Sequence, residues 1–289
     1  MLFNDARLYQ IFFLSLFLLV GIGTRDWTLH VGTIGVMIAT CLLTQWVVVS
    51  AKEKDEETTE GQFNRSKLKT LPSALITALG LSLLLRADHY STIVLASVAA
   101  IVSKALLRVG EKHIFNPANF GIIIALLFTS DAWVSPGQWG EEGWYALLFL
   151  GAGGLVLRRV GRWDTTIAFL TTYLGLEAVR NAWLGWTWDV WGHRLMSGSL
   201  LMFALFMVTD PRTIPNSRTG RVIWAMAIAF LTFILRNQFF ISTAVFWALF
   251  ALAPLSLVLD RLFPDARFSW NSDSSVASQV NSSVINSSL

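Results

Sequence analysis

The chain alternates long apolar runs with short charged connections, and lipid leaves such a chain little choice of fold. Ten runs can be drawn, at 8–22, 31–51, 71–85, 90–107, 119–130, 143–157, 165–182, 195–208, 222–235 and 240–259. Inside hydrocarbon no water satisfies a backbone N–H or C=O, so each run must satisfy its own, and it does so as a helix. The reading is an all-α polytopic membrane protein of about ten transmembrane helices. A crossing takes about 20 apolar residues. The fifth, eighth and ninth runs are shorter, as half-helices lining a site are; charged ends that snorkel would shorten them equally. The first run follows Arg7 as a signal peptide would, but Gly-Thr-Arg-Asp follows it in place of a small-x-small cleavage site, so it is read as a helix.

Composition agrees. Charged residues are 14% of the chain, against about 25% in soluble domains. The single Cys41 excludes an intramolecular disulfide, a thiolate-held iron–sulfur cluster and a zinc site. Four His with no HxxxH pair argue against haem or a His-built metal site. The basic pI does not point to nucleic acid, because the basic residues lie between the runs as topology signals. Placed on alternate sides of ten runs, 17 of the 22 Lys and Arg fall on the side of the N-terminus and five on the other. The positive-inside rule then puts both termini in the cytoplasm of a bacterial inner membrane and 131–142 outside. The transmembrane domain spans 1–264, with halves 1–130 and 142–264, a charged cytoplasmic loop at 52–70 and a Ser/Asn-rich disordered tail at 271–289. Five runs per half, an odd number, force opposite orientation: an inverted repeat with a site expected between the halves.

Two polar knots break the apolar pattern on the cytoplasmic half. The first is Ile114-Phe115-Asn116-Pro117-Ala118-Asn119-Phe120-Gly121; the second is Met207-Val208-Thr209-Asp210-Pro211-Arg212-Thr213. Polar groups beside a helix-breaking proline are costly in a membrane unless they line a cavity or hold a ligand. Pro117 suits a first helical turn, with Asn116 as cap and Asn119 one turn in. Their amides match a heterocycle with alternating C=O and N–H groups; a capped helix start with one amide bonded to a neighbouring helix explains them as well. Asp210 can accept a ligand N–H, coordinate Na+ or pair with Arg212, with Thr209 as a second acceptor. Ser73 and Thr77, and the Ser197-Gly198-Ser199 stretch, suit close helix packing. Arg158 and Arg159 read as anchors, and Glu177 as a partner for Arg180 one turn on.

Three stretches together resemble a known family, the B subunit of the Na+-translocating NADH:quinone oxidoreductase and the D subunit of the Rnf electron-transport complex. They are Pro72-Ser73-Ala74-Leu75-Ile76-Thr77, then Phe115 through Gly121, then Leu195 through Asp210-Pro211 followed by Arg218-Thr219-Gly220-Arg221. The resemblance covers roughly 71–264. It implies ten helices in two inverted halves and a noncovalent flavin, riboflavin or FMN, toward the cytoplasm. It places Asn116, Asn119 and Asp210 at that flavin, with Thr209, Ser73 and Thr77 around them. It implies a second flavin too, an FMN joined through phosphate to a threonine between the fifth and sixth helices. No Thr occupies 131–142 here, and Ser197-Gly198-Ser199-Leu200 also lacks one, so no covalent FMN is expected. Shortened relatives include a membrane protein encoded with enediyne biosynthesis genes, and this chain looks closer to that stand-alone type.

The sequence therefore points to a membrane redox protein with partners in a redox complex or a biosynthetic pathway, and a quinone as one acceptor. Whether the chain is catalytic or an accessory subunit stays open. Two other readings remain beside it: an inverted-repeat transporter of a small polar solute, and a cofactor-free structural subunit.

Overall fold

A computed structural model describes residues 6–24, 30–54, 60–110, 112–135, 151–155, 157–158, 161–195 and 198–268. The expectations for the tail, Ser197, Arg159, most of the sixth run, most of the connection after Asp131 and the centre of the 52–70 loop fall outside these residues.

The chain is mostly helical. The first half holds α1 (Ala6–Thr24), α2 (Val31–Lys54), α3 (Glu60–Leu84), α4 (Tyr90–Leu106) and α5 (Pro117–Phe128). The second holds α6 (Trp163–Trp183), α7 (Trp188–Leu195), α8 (Gly198–Met202), which continues as a π-helical turn over Phe203–Met207, then α9 (Arg218–Asn237), α10 (Ala244–Leu252) and α11 (Leu255–Leu262). Every apolar run but the sixth coincides with one of these, and 151–155 of the sixth are helical. Among the described residues, α2 and α9 are long and apolar enough to cross a membrane. The pair α10–α11, bent by 48°, makes a third if it is one span.

Helix faces are arranged for lipid rather than water. On α6, Ile167, Val179 and Trp183 are exposed, while Thr166, Tyr173, Glu177 and Asn181 are buried. On α9, Ile223, Met226 and Phe230 face out, and Trp224, Ala225, Ile228 and Ala229 face in. Polar groups turned to the bundle interior, with large apolar groups outside, follow from a solvent that is itself apolar.

In the first half α1 packs on α3, α2 on α3 and α4, α4 on α5, and α3 on α5. In the second, Gly153 lies against Leu205 of the π-helical turn, α6 packs on that turn and on α9, and α9 packs on α10. Phe203 meets Phe246 of α10 edge-on at 5.9 Å. Gly121 sets the α4–α5 crossing, since a Cβ there would stand 2.5 Å from the Ala96 carbonyl oxygen. The halves meet along α5 and α10.

Short strands close both ends of the bundle. At one end β1 (Leu85–Ala87) pairs antiparallel with β4 (Ala132–Val134), and Asp131 accepts hydrogen bonds from the His89 backbone and the Thr92 hydroxyl at the start of α4. At the other, β2 (Arg108–Val109) and β3 (Lys112–His113) form a hairpin through Gly110, whose φ of 62° suits glycine. That hairpin leads directly into the first polar knot.

Candidate site where the two polar knots meet

Asn116 caps α5 as its position before Pro117 predicts. Its backbone is extended, and its Oδ1 accepts the Asn119 N–H at 3.1 Å. The same amide reaches across the bundle: Nδ2 donates to Asp210 Oδ2 at 3.3 Å. The two knots, 94 residues apart, are thus one site.

The π-helical turn delivers Asp210. Its wider loop closes with Val208 N–H donating to the Phe203 carbonyl, and the chain leaves through Thr209 and Asp210. Asp210 Oδ1 accepts the backbone N–H of Arg212 at 3.1 Å. The Arg212 carbonyl accepts the backbone N–H of His113 at 3.1 Å, which stitches the second knot to the hairpin before the first. Burial raises the Asp210 carboxyl above its usual pKa, against the Arg212 N–H and charge, Lys104 and Asn116.

The remaining predicted residues divide. Asn119 is 1% exposed; its Nδ2 donates to the Phe246 carbonyl of α10, while its Oδ1 has no partner among the described residues. Ser73 Oγ accepts from Lys104 Nζ at 3.1 Å. Thr77 and Thr209 donate back to carbonyls of their own helices, at Ser73 and Leu205. Beside the knot, Phe115 stacks on Phe250 at 4.9 Å, and Phe120 completes the cluster.

Two basic residues join the site that the sequence had given only a topological or no role. Lys104 is buried, 9% exposed, on α4. Its sequence signal was its place inside an apolar run rather than between runs. His113 is held neutral: burial first, then Lys104, Arg212 and Arg108, push its pKa down to about 4. Its Nδ1 is buried without a hydrogen-bond partner among the described residues.

The expected Glu177–Arg180 pair is corrected. α7 folds back along α6, so Glu177 pairs with Arg194 at 2.8 Å and accepts from Asn237 at 2.8 Å. Arg180 instead lies over the Trp186 ring at 4.8 Å. At the opposite end of α6, Asp164 and Arg221 form a buried bidentate pair, and Arg221 also binds the Asn216 carbonyl. Asp260 accepts the Asn216 N–H at 2.7 Å and pairs with Lys112 of the hairpin.

Residues 128–269 match the NQR2, RnfD, RnfE family. Over that stretch, just under half of its length, the chain is similar to that family. The D subunit of the ion-translocating oxidoreductase complex of Stutzerimonas stutzeri is 34% identical to it over 128 residues, which are 44% of this chain and 36% of that protein. The same-named protein of Alcanivorax borkumensis is 28% identical, covering 57% of this chain and 66% of its own length. That of Halorhodospira halophila is 32% identical over 96 residues, 33% of this chain and 27% of the relative. The chain thus spans less than two thirds of these relatives, and about a third or less of two of them. The family match includes Asp210 and begins after Asn116.

Chemically, the site offers a second Asn116 amide hydrogen, unused lone pairs on Asp210 and the free Asn119 oxygen, next to stacked phenyl rings. Such a mixed donor–acceptor set suits a planar, hydrogen-bonding heterocycle.

Proposed function

We propose that this chain is a membrane subunit of an electron-transferring complex, and that it holds a noncovalent flavin, riboflavin or FMN, where the two knots meet. The observation that carries the reading is the Asn116–Asp210 contact, which turns two separate polar breaks into one convergent site. The relatives are named as D subunits of an ion-translocating oxidoreductase complex, which supports a redox complex with protein partners as the setting; a quinone as one acceptor is part of the proposal. A bound flavin would supply one- and two-electron chemistry. The chain's own part is to hold it: an Asp210 carboxylate oxygen would accept a ring N–H, Asn116 would donate to a ring carbonyl, and Phe115 with Phe250 would keep water out. The unpartnered Asn119 oxygen supports the same ligand, since a buried acceptor without a donor is costly in an empty site. With no Thr between 131 and 142, the covalent FMN site has no attachment residue.

The architecture that goes with this is a ten-span inverted repeat in the bacterial cytoplasmic membrane with both termini inside. The packing supports it. The contacts of the second run with the fourth, the fourth with the fifth and the third with the fifth recur as seventh with ninth, ninth with tenth and eighth with tenth.

The visible spectrum of the purified protein, before and after acid precipitation, tests the proposal. Flavin absorption that moves to the supernatant is the expected result. Flavin retained in the pellet would show a covalent site. A colourless protein that binds no riboflavin or FMN on titration ends the flavin reading.

A further inference from the structure

A groove of about 320 Å³ runs between α6 and α9, lined by none of the knot residues and unused by the proposed flavin site. Its walls are mostly apolar: Ile167 and Ala168 from α6, Val222 and Met226 from α9, with Thr171 and Thr172 further along α6. Ile167 and Met226 are close to half exposed, so the groove opens on the outer surface of the bundle, where lipid chains would lie. At its mouth stands Trp163, half exposed, with the Arg218 guanidinium 5.8 Å from its ring centroid. Asp164 also lines the groove, but Arg221 holds it through both carboxylate oxygens, so that pair is neutral. No carboxylate among the described residues pairs with Arg218, which leaves the mouth with one positive charge.

We propose that this groove binds an anionic glycerophospholipid, with one acyl chain along the α6–α9 seam and the headgroup phosphate on Arg218. Three observations converge. The charged groups of the groove stand at one end, and along the bundle its lining is apolar but for Thr171, whose hydroxyl is bonded back to the Ile167 carbonyl, and Thr172, as suits an amphiphile. Its polar end carries a Trp–Arg pair, the residue types that sit at a membrane interface. That end also carries Arg162, whose guanidinium donates only to the Asn216 carbonyl among the described residues, beside the neutral Asp164–Arg221 and Lys112–Asp260 pairs, and basic residues between membrane helices on such a face favour anionic headgroups. A guanidinium binds a phosphate by paired, charge-assisted hydrogen bonds, which a zwitterionic headgroup partly satisfies by itself.

Native mass spectrometry of the full chain in detergent tests this, with phosphatidylglycerol and phosphatidylcholine of matched acyl chains as probes. Phosphatidylglycerol should be retained on the order of 10-fold more tightly, the worth of one charge-assisted contact. Arg218→Gln should remove that preference and leave the weaker binding common to both lipids. Met226→Trp, which fills the groove, should weaken both. Arg261→Gln, at an exposed arginine of the same end on α11, should change neither. Thermal melts of each variant separate lost binding from lost folding, and Arg218→Lys, which keeps the charge, serves if Arg218→Gln melts early. Equal retention of the two lipids by the native chain overturns the proposal. So does a preference that survives Arg218→Gln or is lost equally in Arg261→Gln. Displacement of phosphatidylglycerol by a short-chain quinone in native protein but not in Met226→Trp would make the groove a quinone site instead.

Discussion

Asn116 uses one amide for two purposes, and substitutions can separate them. Its oxygen caps α5 and its nitrogen reaches Asp210. Asn116→Ser keeps a capping oxygen but loses the donor to Asp210. It should melt near the native temperature, yet bind flavin on the order of 10-fold more weakly. Asn116→Ala loses both and should also be destabilised by about 1 kcal/mol. Asp210→Asn should lower flavin affinity by roughly 10- to 100-fold with the fold intact, read by fluorescence titration of riboflavin. Unchanged affinity in Asn116→Ser and Asp210→Asn together would return the knots to capping and packing. His113 adds a pH dependence. Its pKa is about 4 when folded and 6.5 in the free side chain, so the unfolded chain binds the extra proton between those values. Stability should therefore rise with pH from about 4 to 6.5, and His113→Gln should flatten that rise in melts taken across the window. The cap was legible in the sequence because it is local: Asn, Pro and Asn within four positions. The contact with Asp210 was not, because no pattern within either knot encodes a partner 94 residues away. Lys104 shows the same limit, since its hydrogen-bond partner, Ser73, lies on another helix.

Among the elements, α6 shows most clearly what apolar patterning can and cannot reveal. Its position followed from its composition. Its inward polar face did not, because the partners of Glu177 and Asp164 come from α7 and α9. An i to i+3 spacing suggested Arg180 for Glu177, but Trp186, in the turn opened by Gly185 at a φ of 67°, holds that guanidinium. The π-helical turn at Phe203–Met207 has no sequence mark either; it contains no glycine or proline, only buried apolar residues. The Asp164–Arg221 pair carries the element-scale prediction. Both side chains are 7% exposed, so Asp164→Ala strands a guanidinium in the bundle and should cost about 3–5 kcal/mol. The double variant Asp164→Ala with Arg221→Met removes the stranded charge and should recover much of that loss. Melts in detergent that show the double variant as damaged as the single would mean that Arg221 matters through the Asn216 loop instead.

At the scale of the whole molecule, charge and packing bear on the same question, which end faces the cytoplasm. Arg180, Arg194 and Arg236 gather at the end where α6 and α9 finish, tied to Trp186, Glu177 and Tyr173. Lys112, Arg162 and Arg221 gather at the other, around Asn216 and Asp260. The sequence divided these residues in the same way by counting runs. α6 starts at the end of the bundle where α5 starts, as the proposed alternation of runs expects. The alternation of basic residues was legible because it is written between the runs; the lateral order of helices was not, because any apolar face packs on any other until side-chain shapes choose. A labelling experiment decides the orientation. Thr187 is exposed in the turn after α6 and Ala266 is exposed beyond α11, at opposite ends, while the native Cys41 is fully buried and should stay silent. With 17 basic residues against five, Thr187→Cys should react with a membrane-impermeant maleimide in intact cells, and Ala266→Cys only after permeabilisation. Labelling of Ala266→Cys alone from outside would invert the protein, and would move the proposed flavin site and the proposed lipid groove to the outer leaflet with it. Labelling of both from outside would require an even number of crossings between them, and so one span fewer or more than the eighth, ninth and tenth runs place there.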